Sequence, residues 1–383
     1  MIPDDGSEPD VPQRGRRFSF WRLFKCLVII AALGLALIPF PADWVERYYS
    51  NGIYPITQRW LTPLSNSFSF PLGDLLTAVV AAALLIWWTI RIRRSPGTRW
   101  RAIASLAFNT TVLAAGAYLA FLALWGFNYQ RPPLISKLDY DATRLTDEAE
   151  GQLFFSAIER LNVDAVLAHS GPIPGEEEWR ASLSQTLDEV VTEIGNRQRV
   201  TAAVPKTSLI DFYLGKTGVG GFTNPFGLEV VLNSDLHPLE RPFTLAHEWA
   251  HLAGFADESE ANFVALLACA RSSMPVIRYS AWLALHPYLS MPRVLIEKAQ
   301  QAGKWDDVLP KVVPEALEDL RAINERMERR LSPTLSRMQN RVYDGFLKAN
   351  RVEPGIASYG LFVRLLLGTR FESDWVPAQR SAR

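Results

Sequence analysis

The chain has little histidine and cysteine and no excess of charge of either sign. Its 383 residues include 5 histidines and 2 cysteines, and 40 basic side chains balance 40 acidic ones. The balanced charge gives no support for a nucleic-acid partner. Cys26 lies in an apolar segment and Cys269 on a predicted helix, so we expect no disulfide between them, and the cysteines do not identify the redox compartment.

Apolar residues are abundant, at 48% of the chain, and they cluster in three uncharged runs near the N-terminus. These runs cover residues 26–42, 75–90 and 102–127. A helix needs about 20 predominantly apolar residues to cross a bilayer, which the third run supplies alone and the first two reach with flanking residues. The sequence therefore predicts a transmembrane region over residues 19–127, with spans at about 20–41, 72–90 and 102–127.

The arginines predict how these spans are oriented. The N-terminal tail carries Arg14, Arg16 and Arg17, and the segment 91–101 contains five arginines. Because cytoplasmic segments are enriched in Lys and Arg, we expect a cytoplasmic tail over residues 1–18 and an extracytoplasmic domain over residues 128–383. The first run lacks a clear A-x-A cleavage site, which favours a retained anchor in the inner cell membrane over a signal peptide.

The segment 128–383 has the pattern of a mostly helical α+β domain. Helical spacing covers residues 146–161, 176–197 and much of the chain after residue 243. Two stretches rich in β-branched and aromatic residues, at 206–214 and 227–234, are predicted strands, with a glycine-rich turn at 215–226 between them.

The stretch FTLAHEWAHLAG (243–254) has the HExxH spacing of a metal site. Pro242 suits the first turn of a helix and Gly254 suits the position after its end. On that helix His247 and His251 lie on one face, where both imidazoles can reach one Zn²⁺. Glu248 is offset from them and is predicted to be the general base that deprotonates a water molecule.

Two incidental histidines on a solvent-facing helix would be the simpler interpretation of this stretch. The residues around them are apolar at nearly every other position, which indicates a helix that is buried almost all round. Two histidines and a glutamate in such surroundings need partners, and a metal ion satisfies all three, which favours a zinc site.

Two acids that follow the motif compete to be the third ligand. Asp257 and Glu260 fit a capping box at the start of a second helix, which leaves Glu258 one position inside that helix. Glu258 and Asn262 share a face, so Glu258 is the favoured ligand and Asn262 a candidate hydrogen-bond partner of a ligand histidine. The alternative ligand is Asp257, because HEWAHLAGFAD also fits the pattern HExxHxxGxxD.

The second helix reads E-S-E-A-N-F and resembles the E-x-x-A-[DN] element of membrane gluzincins of the prenyl-protein-endopeptidase and heat-shock types. The resemblance implies that Glu258 is the ligand, that Asn262 stands at the outer-shell position and that Glu248 is the base. The short gap between His251 and Glu258 departs from those families, which often insert tens of residues there.

A wider resemblance covers most of the chain. The three apolar runs, WGFNYQRPPL, GFTNPFGLEVVLN, PFTLAHEWAHLAGFADESEANF and YDGFLKANRVEPGIASYG resemble a bacterial family of multi-pass membrane proteins of unknown function. This resemblance implies an architecture of three N-terminal helices followed by a zincin-like domain, and it implies no activity.

These patterns lead to two hypotheses. The first is a membrane-anchored zinc endopeptidase whose peptide or protein substrate could lie along an edge strand at 227–234, although this segment could equally be an ordinary sheet strand. The second is a membrane-tethered binding or envelope-assembly module with a structural or vestigial zinc site. Five residues are candidates to stabilise the transition state, and each also has a structural explanation: Tyr213, His237, Arg278, Tyr279 and His286.

Overall fold

The computed structural model describes residues 20–94, 99–196, 199–303, 310–372 and 375–380. The predicted cytoplasmic tail, residues 1–18, lies outside them. The chain divides into two compact units. The first comprises residues 1–39 and 85–120, and the second comprises residues 40–84 and 121–383.

Within the described residues, three helices are long and apolar enough to cross a membrane, as the apolar runs predict. They are α1 (Phe20–Leu37), α4 (Leu72–Arg93) and α5 (Arg99–Leu124). Most of their side chains are exposed. Exposure of such apolar helices is the pattern expected where lipid, and not water, surrounds them.

The rest of the described chain is also mostly helical. Between α1 and α4 lie α2 (Ala42–Trp44), the π-helical segment Val45–Ile53 and α3 (Tyr54–Asn66). Beyond α5 come α6 (Asp147–Ala168), α7 (Glu176–Glu193), α8 (Asp211–Thr217), α9 (Arg241–Leu252), α10 (Glu258–Ala270), α11 (Pro275–Leu285), α12 (Arg293–Ala302), α13 (Pro314–Arg330), α14 (Pro333–Ala349) and α15 (Leu361–Gly368). Short 3₁₀ turns occupy Gly126–Gln130, Leu134–Ser136, Ala142–Arg144, His286–Tyr288 and Gly355–Gly360.

The described residues contain one small sheet. Strands β1 (Gly221–Asn224) and β2 (Glu229–Leu232) pair antiparallel, and Lys206 forms a parallel bridge to Val231 on the other side of β2. The strand predicted at 227–234 is confirmed, but the one predicted at 206–214 is wrong, because only Lys206 pairs and residues from Asp211 onwards form α8. The strand that pairs with β2 is β1, which forms within the predicted turn. Gly221, at the start of β1, permits close packing of the two backbones.

The second unit extends beyond the range 128–383 expected from the sequence, because it also contains residues 40–84. The hydroxyl groups of Tyr54 and Thr62 donate to backbone carbonyls of Leu252 and Leu228, at 2.7 and 2.9 Å. The segment that joins α1 to α4 is therefore part of the compact unit and not a free loop.

Helices α9 and α10 form the centre of this unit and pack against each other, with α7 and α11 beside them. From Ala261 to Ala270 every residue of α10 is buried, and Trp249 on α9 is fully buried as well. This packing holds the two helices that carry the HExxH motif and the acids after it in fixed positions.

Candidate metal centre

The helix that carries the motif begins and ends where the sequence predicts. Pro242 lies in the first turn of α9, and Gly254 follows its end with a φ of +86°. The amide of Phe255 donates to Ala250 and that of Gly254 to His251, which is a Schellman ending. This φ disfavours any residue with a Cβ atom at position 254, and a Cβ atom there would also come within 2.9 Å of side-chain atoms of Arg131 and Asn128.

The last carbonyls of α9 are bound by residues from the segments next to the apolar helices. Trp125, directly after α5, donates its indole N–H to the carbonyl of His251 at 2.9 Å. Tyr54 and Gln58 of α3 both donate to the carbonyl of Leu252. These bonds satisfy acceptors that a helix end leaves open, and they fix the position of His251.

Asp257 caps the second helix and is turned away from the imidazoles. Its carboxylate accepts from the backbone N–H groups of Ser259 and Glu260, which is the predicted N-cap geometry. The other half of the predicted capping box is wrong, because Glu260 accepts from the amide of Leu134 at 2.6 Å. Burial raises the pKa of Glu260 to about 7, although this hydrogen bond opposes the shift.

Glu258 faces the two imidazoles. Its Oε2 atom lies 3.1 Å from Nε2 of His247 and 3.5 Å from Nε2 of His251. The two Nε2 atoms are themselves 3.1 Å apart. An ion with tetrahedral bonds of about 2.1 Å holds its ligand atoms about 3.4 Å apart. The three donors therefore have the spacing, as well as the chemistry, that a zinc ion requires.

The hydrogen bonding of His251 and the charge of Glu258 are also suited to binding a cation. Nδ1 of His251 lies 2.7 Å from the carbonyl of Phe255, which can only accept, so Nδ1 donates this hydrogen bond and Nε2 is the atom directed at the cluster. Burial opposes charge on Glu258, but the two histidines outweigh it and hold its pKa well below the usual value. Burial also lowers the pKa of His251, but the Glu258 carboxylate prevails and raises it to about 9.

Glu248 lies beside the cluster and is 4% exposed. The hydroxyl of Thr223, on β1, lies 2.9 Å from both Oε2 and the backbone carbonyl oxygen of Glu248 and can donate to either. Burial raises the pKa of Glu248, and the charges of His247 and His251 oppose that rise. A carboxylate that is held in place and has a raised pKa is suited to accept and return a proton.

Asn262 is placed on the cavity wall with Glu258 and His247. It is 4% exposed, and its amide nitrogen has no hydrogen-bond partner among the described residues. The structure thus brings Asn262 into the site, as the shared helix face predicts.

The cluster opens into a cavity of about 610 Å³ whose walls contain several aromatic residues. These walls include Trp125, Tyr129, Phe222, Phe243, Tyr288, Tyr343 and Phe346. Tyr343 donates a hydrogen bond to Oε1 of Glu258. Tyr343 and Thr223 were not predicted from the sequence, because Tyr343 lies 85 residues from its partner and Thr223 lies in a predicted turn.

The five candidates for a transition-state donor lie elsewhere, and none of them is among the described residues that line this cavity. Tyr213 binds Gln339, Arg278 binds Asp164 and Tyr279 binds Asp319. His237 lies 3.8 Å from Asp319, and His286 is half-buried at the end of α11. Four of the five side chains therefore have structural partners, and one of these partners, Gln339, belongs to the cavity wall.

The chain belongs to a family described as "Protein of unknown function (DUF3810)", whose family model matches residues 49–367. No curated protein matches the chain. No solved structure matches it either.

Proposed function

We propose that the chain is a membrane-anchored, zinc-dependent endopeptidase with a zincin-like second unit. The spacing of three donor atoms, on His247, His251 and Glu258, is the single observation that carries this proposal, since they lie within 4.8 Å of one another. A structural zinc site needs no extra acid, whereas this one has a buried glutamate in position to handle a proton. Zinc, when bound, would polarise a carbonyl group and lower the pKa of a water molecule.

Glu248 is the proposed general base. Its carboxylate accepts a proton from the attacking water as the water oxygen bonds to the peptide carbonyl carbon. It then passes that proton to the amide nitrogen as the carbon–nitrogen bond breaks. Thr223, whose hydroxyl can donate to Glu248 Oε2, keeps the carboxylate in the orientation that both transfers need.

The substrate is proposed to be an extended polypeptide that pairs with β1. Strand β2 is enclosed between β1 and Lys206, so the edge is β1 and not the segment 227–234. The amide of Asn233 donates to Gly220, and the alternation of an antiparallel pair then turns the backbone groups of Gly221 and Thr223 outward. Nothing else in the described part of the chain bonds to them, which leaves them available for a peptide.

The proposed location is the inner cell membrane, with a cytoplasmic N-terminus and an extracytoplasmic second unit. The arginines before α1 and at 91–101 support it. Further support comes from the fold of the second unit, in which residues 40–84 and 121–383 pack together. Three spans put the segment between α1 and α4 and the segment after α5 on the same side of a membrane, and these two segments are hydrogen-bonded to each other within the second unit.

Metal analysis and a peptide-library digest of the full-length protein in lipid discs test the proposal. We expect zinc in both the wild type and Glu248→Gln, with peptide cleavage reduced about 100- to 10,000-fold in the variant. Equal cleavage by zinc-loaded Glu248→Gln would contradict the mechanism. Bound zinc without cleavage by either protein would favour the binding or envelope-assembly module.

A further inference from the structure

Helix α3 turns its polar residues inward. The side chains of Tyr54, Gln58, Thr62 and Ser65 are buried, and each is hydrogen-bonded to the rest of the second unit. A surface helix of a water-soluble protein buries its apolar face instead. Since all four of these polar side chains have hydrogen-bond partners, the sequence specifies this unusual orientation of the helix.

The opposite face of the helix is apolar and exposed. Ile53, the residue directly before α3, and Ile56, Trp60 and Leu64 within it are 60%, 56%, 77% and 55% exposed. Their spacing of three, four and four residues places them on one side, and we call these four residues the α3 stripe. No acidic or basic residue belongs to the stripe. Arg59, which is also exposed, lies directly beside Trp60.

The chain connects the stripe to the start of a membrane-spanning helix. Five residues separate α3 from α4, and this link reaches at most about 20 Å. It carries Phe68 and Phe70, whose exposed rings are 5.7 Å apart. Aromatic residues are enriched where membrane helices meet water, so the stripe continues through an interfacial pair into α4.

More exposed apolar residues lie in the segment that is hydrogen-bonded to the start of α4. Asp74, in the first turn of α4, accepts from the amide of Leu209 at 2.7 Å. Leu209 is 81% exposed and Phe212 70% exposed, with the ammonium of Lys216 5.3 Å from the Phe212 ring centre. Long basic side chains near apolar ones are typical of segments that lie in a membrane interface.

We propose that α3 is an interfacial membrane helix, with the α3 stripe embedded in the lipid leaflet on the side of the second unit. Lipid accounts for the inverted orientation, because acyl chains cover the apolar face while the protein satisfies the polar one. Arg59 would lie among the lipid phosphates. The proposal is independent of zinc chemistry, and it places the carbonyl of Leu252 at the end of α9, which α3 binds, next to the membrane surface.

Nitroxide accessibility in the full-length protein tests this proposal. Labels are attached to Trp60→Cys and, separately, to Ile56→Cys, in a protein with Cys26→Ala; Cys269 is fully buried. Leu76→Cys on the exposed apolar face of α4 is the lipid reference, and Glu177→Cys on α7 is the water reference. The protein is held in discs of phosphatidylcholine and phosphatidylglycerol.

We expect labels at positions 56 and 60 to collide with oxygen as often as the label at position 76. Their collision rate with a water-soluble nickel chelate should be several-fold lower than that at position 177. Nickel access equal to that at position 177 would overturn the proposal. So would low access to both probes with dipolar coupling between labels on two copies, which would identify a second copy as the occupant.

Discussion

Tyr343 donates a hydrogen bond to Glu258 Oε1, the oxygen opposite the one that faces the two imidazoles. The bond joins α14 to α10 across 85 residues of sequence. It leaves Oε2 directed at His247 and His251, and thus sets which oxygen of the carboxylate is available to a metal ion. Hydrogen bonds of this kind orient ligands and tune their basicity.

We therefore expect Tyr343→Phe to weaken zinc binding about 10- to 100-fold without unfolding the protein. The loss follows from a carboxylate that is free to rotate. Competition with a chromogenic chelator measures the affinity, and Tyr279→Phe is the control, because that hydroxyl also donates to a carboxylate, Asp319, and neither residue lines the cavity. Unchanged affinity in Tyr343→Phe would show that α14 does not position the ligand.

Mutations of the two acids at the start of α10 should have different effects on zinc affinity and on stability. Glu258→Gln removes one of three donors, and we expect zinc affinity to fall by more than about 100-fold, beyond the usual effect of an outer-shell partner. Asp257→Ala removes only the N-cap and should cost about 1 kcal/mol of folding free energy while zinc affinity is retained. Zinc titration and thermal unfolding of both variants measure these effects. Loss of zinc from Asp257→Ala alone would reverse the assignment.

Local patterns in the sequence were sufficient to predict much of this site. Pro242 and Gly254 predicted the ends of α9, and the N-cap pattern at Asp257 separated that acid from Glu258. Each of these signals acts within about one helical turn, where the backbone alone fixes which side chains share a face. The three apolar helices were predictable for a similar reason, since length and hydropathy are properties of a single segment.

The features that the sequence analysis missed depend on distant partners. Glu260 would complete a capping box in isolation, but the amide of Leu134 competes for its carboxylate. The turn predicted around Thr223 forms an edge strand because β2 and α9 pack beside it. The inverted face of α3 could not be predicted from hydropathy alone, because the period is the same whichever face the protein covers.

The charges of Lys206 and Glu229, which form a buried ion pair, should contribute to stability in a strongly interdependent way. The two charged atoms are 2.9 Å apart, and the side chains are 2% and 0% exposed. Glu229 also accepts from the first amides of α4, those of Leu72 and Gly73. We expect Glu229→Gln to destabilise the protein by about 3–5 kcal/mol, because it leaves the ammonium buried without a counter-charge.

The double variant Lys206→Met/Glu229→Gln should lose less stability than the sum of the two single variants, because neither charge remains unpaired. Thermal unfolding in detergent measures the cycle. Asp235→Asn is the matched control, because it breaks the more exposed pair with Arg330 and should cost at most about 1 kcal/mol. Strict additivity in the double variant would mean that the pair is not coupled.

The acid limb of the stability curve should depend on Glu46, in the segment between α1 and α4. Burial favours its neutral form, but Arg131 and Lys137, at 2.6 Å each, outweigh that effect and hold its pKa below the ordinary value. A carboxylate with a lowered folded pKa contributes stability above its unfolded pKa of about 4.3, and this contribution disappears as the pH falls through the folded value.

Glu46→Gln should therefore cost about 1–3 kcal/mol near pH 7 and progressively less as the pH falls from about 4 through the lowered folded pKa of the wild-type carboxylate. Chemical unfolding of both proteins at a series of pH values measures the difference. Glu177→Gln, at an exposed position on α7, is the control, and its curve should run parallel to that of the wild type. A loss of stability in Glu46→Gln that stays constant down to pH 3 would contradict the assignment, because it would show that the contribution of Glu46 does not depend on its charge.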